Sequence, residues 1–168
     1  AEIEPGLSQF ERITLGTDAE NPARLSSLDW LASTLVPAAQ PFDIRLLGVP
    51  VVEGSLPLGR PLPVMNAPWN VEIARAGRYE VALRRWPAES GGALGEALPE
   101  YRGVDGTYPP GKPIPVAKAR LTVAGVDVQN EVDPKATAAQ FTVDLPAGPA
   151  RLQTWFYDAE GKELCGAF

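Results

Sequence analysis

At 168 residues the chain is long enough for one domain with a substantial core, and its 45% hydrophobic content argues against global disorder. Its 15 Lys+Arg against 21 Asp+Glu leave a formal charge of −6, which speaks against nucleic acid as the main partner because phosphate binding needs a basic surface. With no histidine and one cysteine, Cys165, the chain can form neither a histidine-dependent triad nor an internal disulfide, and it lacks the commonest ligand for zinc, copper and nickel; an oxygen-ligated ion such as calcium stays open.

The opening Ala1-Glu2-Ile3-Glu4-Pro5 has neither the charged start nor the apolar stretch of a signal peptide, as expected of a mature secreted protein or of an excised domain. Residues 11–18 read as a short strand and turn. In residues 23–36, Leu25, Leu28, Leu31 and Leu35 recur near helical spacing, while Ser26, Ser27 and Thr34 dilute helix propensity, so helix and strand stay balanced. Residues 42–46 alternate as a strand. Residues 48–68 carry Gly48, Pro50, Gly54, Pro57, Gly59, Pro61, Pro63 and Pro68, the composition of a long loop.

Residues 69–73 and 77–83 are strand-like and close in sequence, which predicts an antiparallel hairpin with a tight turn. In the second of these, Tyr79, Val81 and Leu83 share a core face, and Glu80, Ala82, Arg84 and Trp86 point the other way. Residues 87–115 form a second irregular, Gly/Pro-rich stretch. Strand patterns follow at Ala119, Leu121 and Val123, at Ala139, Phe141, Val143 and Leu145, and at Leu152, Thr154 and Phe156, with a last strand over residues 162–168. With 16 glycines and 18 prolines throughout, the pattern predicts an all-β, single-domain chain over residues 1–168. The architecture expected is an antiparallel, jelly-roll-like β-sandwich of about eight strands with long Gly/Pro-rich loops. No apolar run approaches the roughly 20 residues of a membrane span, so a soluble domain without a span is expected. The chain ends while a strand is still running, as a fragment of a larger protein would.

The pair Arg84 and Arg85 with Trp86 suggests a ligand platform, because guanidinium forks bind sulfate or carboxylate and an indole face stacks on sugar rings. Against this stands a packing role, with Trp86 sealing the end of the sandwich and the arginines paired to Glu72, Glu80 or Asp144. Tyr101 and Tyr108, in the second irregular stretch, are the aromatics expected to be exposed and join the ligand-binding candidates. Trp30, Trp69 and Trp155 are core candidates, and Trp69 shares a face with Val71 and Ile73. Trp155 shares a face with Tyr157 opposite Leu152 and Phe156, so one of those faces is exposed or loop-covered. Asp18, Glu20, Asn21 and Asp29 are weak calcium candidates whose spacing matches no EF-hand. Glu100 and Asp105 are the acidic pair that a small hydrolase could use.

Several segments, in order, resemble the C-terminal accessory domain of bacterial arylsulfatase-like proteins. They run from Ile13-Thr14-Leu15-Gly16-Thr17-Asp18-Ala19-Glu20-Asn21-Pro22 with Leu28-Asp29-Trp30, through Trp69-Asn70-Val71-Glu72-Ile73 and residues 74–81 to Leu83-Arg84-Arg85-Trp86-Pro87. They close with Phe141-Thr142-Val143, Leu152-Gln153-Thr154-Trp155-Phe156 and Gly166-Ala167. Residues 31–66 depart from that pattern. The sulfatase centre itself needs a Cys/Ser-x-Pro/Ala-x-Arg motif, and Leu164-Cys165-Gly166-Ala167-Phe168 has neither the proline nor the arginine. The resemblance thus implies a non-catalytic β-sandwich, secreted or periplasmic, that supports or targets a sulfatase catalytic domain. The other readings are an independent carbohydrate-binding module for acidic or sulfated glycans and a small acid-dependent hydrolase. No cofactor is expected beyond calcium.

Overall fold

The computed structural model describes residues 12–16, 22–25, 66–103, 107–108 and 110–167. Among these the chain is all-β: β1 Arg12–Leu15, β2 Trp69–Ile73, β3 Gly77–Leu83, β4 Tyr101–Arg102, β5 Thr107–Tyr108, β6 Lys118–Val123, β7 Val126–Glu131, β8 Ala139–Leu145, β9 Gly148–Tyr157 and β10 Glu163–Cys165. A single 3₁₀ turn, Ala88–Ser90, is the one helical piece among the described residues. No helix among them is long and apolar enough to cross a membrane. The strand pattern proposed for residues 42–46, the balanced 23–36 stretch beyond Leu25, Trp30 and the calcium candidates Asp18, Glu20, Asn21 and Asp29 lie outside the described residues; residues 23–25 are neither helix nor strand.

Alternation in the sequence becomes two-faced strands. In β8, Ala139, Phe141, Val143 and Leu145 are buried while Gln140, Thr142 and Asp144 are exposed. β2 turns Trp69, Val71 and Ile73 inward, β6 does so with Ala119, Leu121 and Val123, and β9 with Leu152, Thr154 and Phe156. These side chains form one apolar cluster, joined by Leu83 of β3. Each large one contributes about 1.5–3 kcal/mol on leaving water. Thr154 is the polar member, and its Oγ1 accepts a hydrogen bond from the Ala167 N–H at 2.9 Å.

The larger sheet has the order β1-β2-β9-β6-β7, with β10 also paired to β9, and the smaller one pairs β3 with β8. β2 and β3 are therefore no hairpin, contrary to the expectation from their spacing. β2 pairs with β9, from Trp69↔Leu152 to Ile73↔Gly148, and β3 pairs with β8, from Gly77↔Leu145 to Leu83↔Ala139. One long antiparallel ribbon, residues 69–83 against 139–152, folds over at residues 74–76 and 146–147, so that its two halves lie in opposite sheets. The reason is burial: both halves carry an apolar stripe, and folding the ribbon presses the two stripes together. Nested around the β6–β7 hairpin, this pairing is the jelly-roll-like pattern, with the second sheet cut down to two strands. A second correction concerns β1, which runs parallel to β2, so the larger sheet is mixed at that edge. Among the described residues there are ten strands where about eight were expected, because β7 and the short β4–β5 ribbon went unread.

Two close fits hold the ends of this frame. Gly16 has φ +78°, and a Cβ there would stand 2.1 Å from the Tyr79 hydroxyl, which itself donates to the Arg75 carbonyl at 2.7 Å. The β6–β7 hairpin turns through Ala124 at φ 49° and Gly125 at φ 83°, the double left-handed step of a tight hairpin turn. A non-glycine residue there is strained by about 1–2 kcal/mol. Ala124→Gly or Ala124→Asn should therefore stabilise the protein by about 1 kcal/mol and raise the melting temperature by about 2–4 °C in a calorimetric scan.

Candidate ligand-binding face

The Arg84-Arg85-Trp86 segment follows β3 directly, where the chain leaves the small sheet. Arg85 is 1% exposed and Trp86 6% exposed, which corrects the expectation that these two form an open sugar platform. Arg85 Nη1 donates to the carbonyls of Leu94 at 3.2 Å and Glu96 at 2.9 Å, and its Nη2 to that of Lys112 at 2.6 Å. Trp86 Nε1 donates to the same Glu96 carbonyl at 3.1 Å, and the Arg85 Cζ lies 4.3 Å from the centre of the indole. The ring is wedged between two glycines: a Cβ on Gly92 would lie 2.6 Å from its Cδ1, and one on Gly111 3.1 Å from Cη2. The physical reason is the long connection from β3 to β6, whose inward carbonyls need donors; one guanidinium satisfies three of them. The packing reading thus holds for both residues, although the partners are backbone carbonyls and not Glu72, Glu80 or Asp144. Arg84 is half-buried and donates to the Thr137 carbonyl at 3.2 Å. It is Arg78 that meets Asp144, at 3.7 Å and largely exposed, a pair worth little in water.

Tyr101 is 66% exposed on β4, and Cα register sets it opposite Tyr108 on β5. These two positions therefore belong to a two-stranded ribbon, where a structureless loop was expected. Glu100 is exposed, and Asp105 lies outside the described residues. No group of metal-ligating side chains is found among the described residues.

The two sheets present different outer faces. On the small sheet the face is Arg78, Glu80 and Ala82 against Gln140, Thr142 and Asp144, without an aromatic ring. On the large sheet, β9 turns Gln153, Trp155 and Tyr157 outward, each half-buried. β6 adds Lys118, Arg120 and Thr122, and β7 adds Asp127, Gln129 and Glu131. The ladder sets Arg120 opposite both Gln129 and Trp155. Arg120 Nε and Nη2 donate to the two carboxylate oxygens of Asp127 at 2.8 and 2.5 Å, and its Cζ stands 5.1 Å from the Trp155 ring centre. The Asp127 carboxylate, and after it the Tyr157 hydroxyl, hold the Arg120 guanidinium still more firmly protonated, and the same bond keeps Asp127 below its ordinary carboxylate range. Asp127 therefore stabilises this pair above its ordinary pKa, and that contribution is lost as acid protonates it in the folded protein.

This face combines one flat ring, a second aromatic about 7 Å along the same strand, and a ring of amides and charges. Such a surface can stack a sugar ring and hydrogen-bond its hydroxyls. The sequence shows that Trp155 and Tyr157 share a face. Arg120 and Asp127 were missed, although the strict alternation of Val126, Asp127, Val128 and Gln129 after the turn at Gly125 was there to find them. No protein-family model, no curated protein and no solved structure matches the chain.

Cys165 is buried beside the Arg85 guanidinium. Burial pushes its thiol up from 9.0 to about 11, with Arg85 pulling the other way; burial also draws Arg85 down to about 10. The unfolded chain releases the Cys165 proton first, so the thiol's contribution to stability is complete below pH 9.0 and is lost as pH rises toward about 11. At mildly alkaline pH the native thiol should react with a disulfide probe about a hundred times more slowly than in denaturant, from thiolate population alone. For the buried arginine, Arg85→Ala leaves three carbonyls short of a donor, and urea unfolding should show a loss of about 3 kcal/mol.

Proposed function

We propose that the chain is a non-catalytic accessory module that binds carbohydrate on the outer face of its large sheet. The observation that carries this reading is the outward pair Trp155 and Tyr157 beside Arg120: aromatic rings flanked by an arginine and amides suit a sugar, whereas a face that docks another domain is continuous apolar surface. The accessory part of the reading, a role beside an arylsulfatase-like catalytic domain in a secreted or periplasmic protein, rests on the resemblance over most of residues 11–168, with residues 31–66 departing from it. The candidate residues named from the sequence divide accordingly. Arg85 and Trp86 hold the connection from β3 to β6, Tyr101 is an exposed aromatic on the β4–β5 ribbon, and Trp155, a core candidate from the sequence, is the proposed binding residue.

Titration calorimetry against a panel of sulfated and unsulfated oligosaccharides tests this. Trp155→Ala should weaken the binding found for the wild type by about tenfold or more while leaving the melting temperature near its original value, because the side chain is only half-buried. Trp86→Phe should do the reverse, lowering stability through the lost Glu96 bond and leaving binding unchanged. If Trp155→Ala binds every ligand as the wild type does, the sugar face is elsewhere or absent.

A further inference from the structure

We infer that the glycan held on this face is an uncharged one, and not a sulfated or uronic chain; the inference rests on the carbohydrate reading above. The expectation from the sequence ran the other way, because it took Arg84 and Arg85 as anion forks. Arg85 is turned into the interior, where its guanidinium serves three backbone carbonyls. The arginine that does stand on the aromatic face, Arg120, already grips a carboxylate with two of its donors. A sulfate arriving there would have to displace a bidentate partner held at bonding distance by opposite charge.

On β2, β6, β7 and β9 the other charges stand near opposite signs by register alone. Lys118 of β6 lies directly opposite Glu131 of β7. Arg151 of β9 lies opposite Asn70 of β2, with Glu72 two positions further along the same side of that strand. Over β2, β6, β7 and β9 the outer face therefore sets Lys118, Arg120 and Arg151 against Glu131, Asp127 and Glu72, with no surplus of cations. The whole chain is at −6, so the long-range field repels an anionic polymer and does not gather it. Between the charges stand Thr122, Gln129, Gln153 and Asn70, whose uncharged donors and acceptors match sugar hydroxyls. The hydrophobic side of a pyranose has the Trp155 and Tyr157 rings to lie against.

The test compares matched oligosaccharide pairs that differ only in sulfation, measured by titration calorimetry on the wild type and on Asp127→Asn. The wild type should prefer the unsulfated member by about tenfold, and its affinity should hardly change with salt. Asp127→Asn removes the carboxylate but leaves Arg120 in place, and should gain affinity for the sulfated member, now falling steeply with salt. A wild type that prefers the sulfated member, with a steep salt dependence, overturns the inference and leaves the carbohydrate reading standing. Asp127→Asn that gains nothing for the sulfated member also overturns it, because Arg120 was then not the masked anion site. A wild type inert toward both members removes the carbohydrate reading itself, and this inference with it.

Discussion

Strand β9 is hydrogen-bonded on both sides, to β2 through residues 148–152 and to β6 through residues 152–157. No other strand among the described residues joins so much of the molecule, and the constraint behind it is the folded ribbon. β2 and β3 are too apolar on one face to pair with each other and leave both faces wet. Each instead takes a partner from the continuous segment 139–157, and the bend at residues 74–76 and 146–147 closes the two apolar stripes on one another. Once that is done, Leu152, Thr154 and Phe156 must point inward, and Gln153, Trp155 and Tyr157 must point outward. The candidate face is thus a consequence of the core, with no separate construction.

The second organising contact is the Arg85–Trp86 pair. The connection between β3 and β6 is long, rich in glycine and proline, and short of regular hydrogen bonding. Burying a guanidinium in it is costly, as the fall of its pKa to about 10 indicates, and the cost is offset by three carbonyls and an indole face. The glycines at 92 and 111 are there because the indole leaves no room for a side chain. Leu94 and Gly95 then bond to the carbonyls of Ala136 and Pro134 at 2.8 Å each, which ties the connection to the approach of β8. Arginine and tryptophan side by side have the same letters in a binding platform and in a packed plug. Their direction decides between the two.

Much of the fold was legible because alternation has one physical meaning in a strand: every second side chain faces the same way. The inward sets of β3, β6, β8 and β9 were read directly from Tyr79, Val81 and Leu83 and from their counterparts. β7 was missed although it alternates, since its outward residues are polar and its inward Val126 and Val128 are only half-buried at the sheet edge. β4 and β5 have two residues each, too few for any period to register.

By itself the sequence determined the class of the fold, the turn at Gly125, the burial of Trp69 and the shared face of Trp155 and Tyr157, because each of these follows from local periodicity or from the freedom of one glycine. Only the tertiary structure decided that β2 and β3 part company, that Arg85 and Trp86 turn inward, and that Arg120 and Asp127 meet beside Trp155. Those outcomes depend on which strands become neighbours, and pairing partners far apart in the chain leave no mark on the spacing of either one.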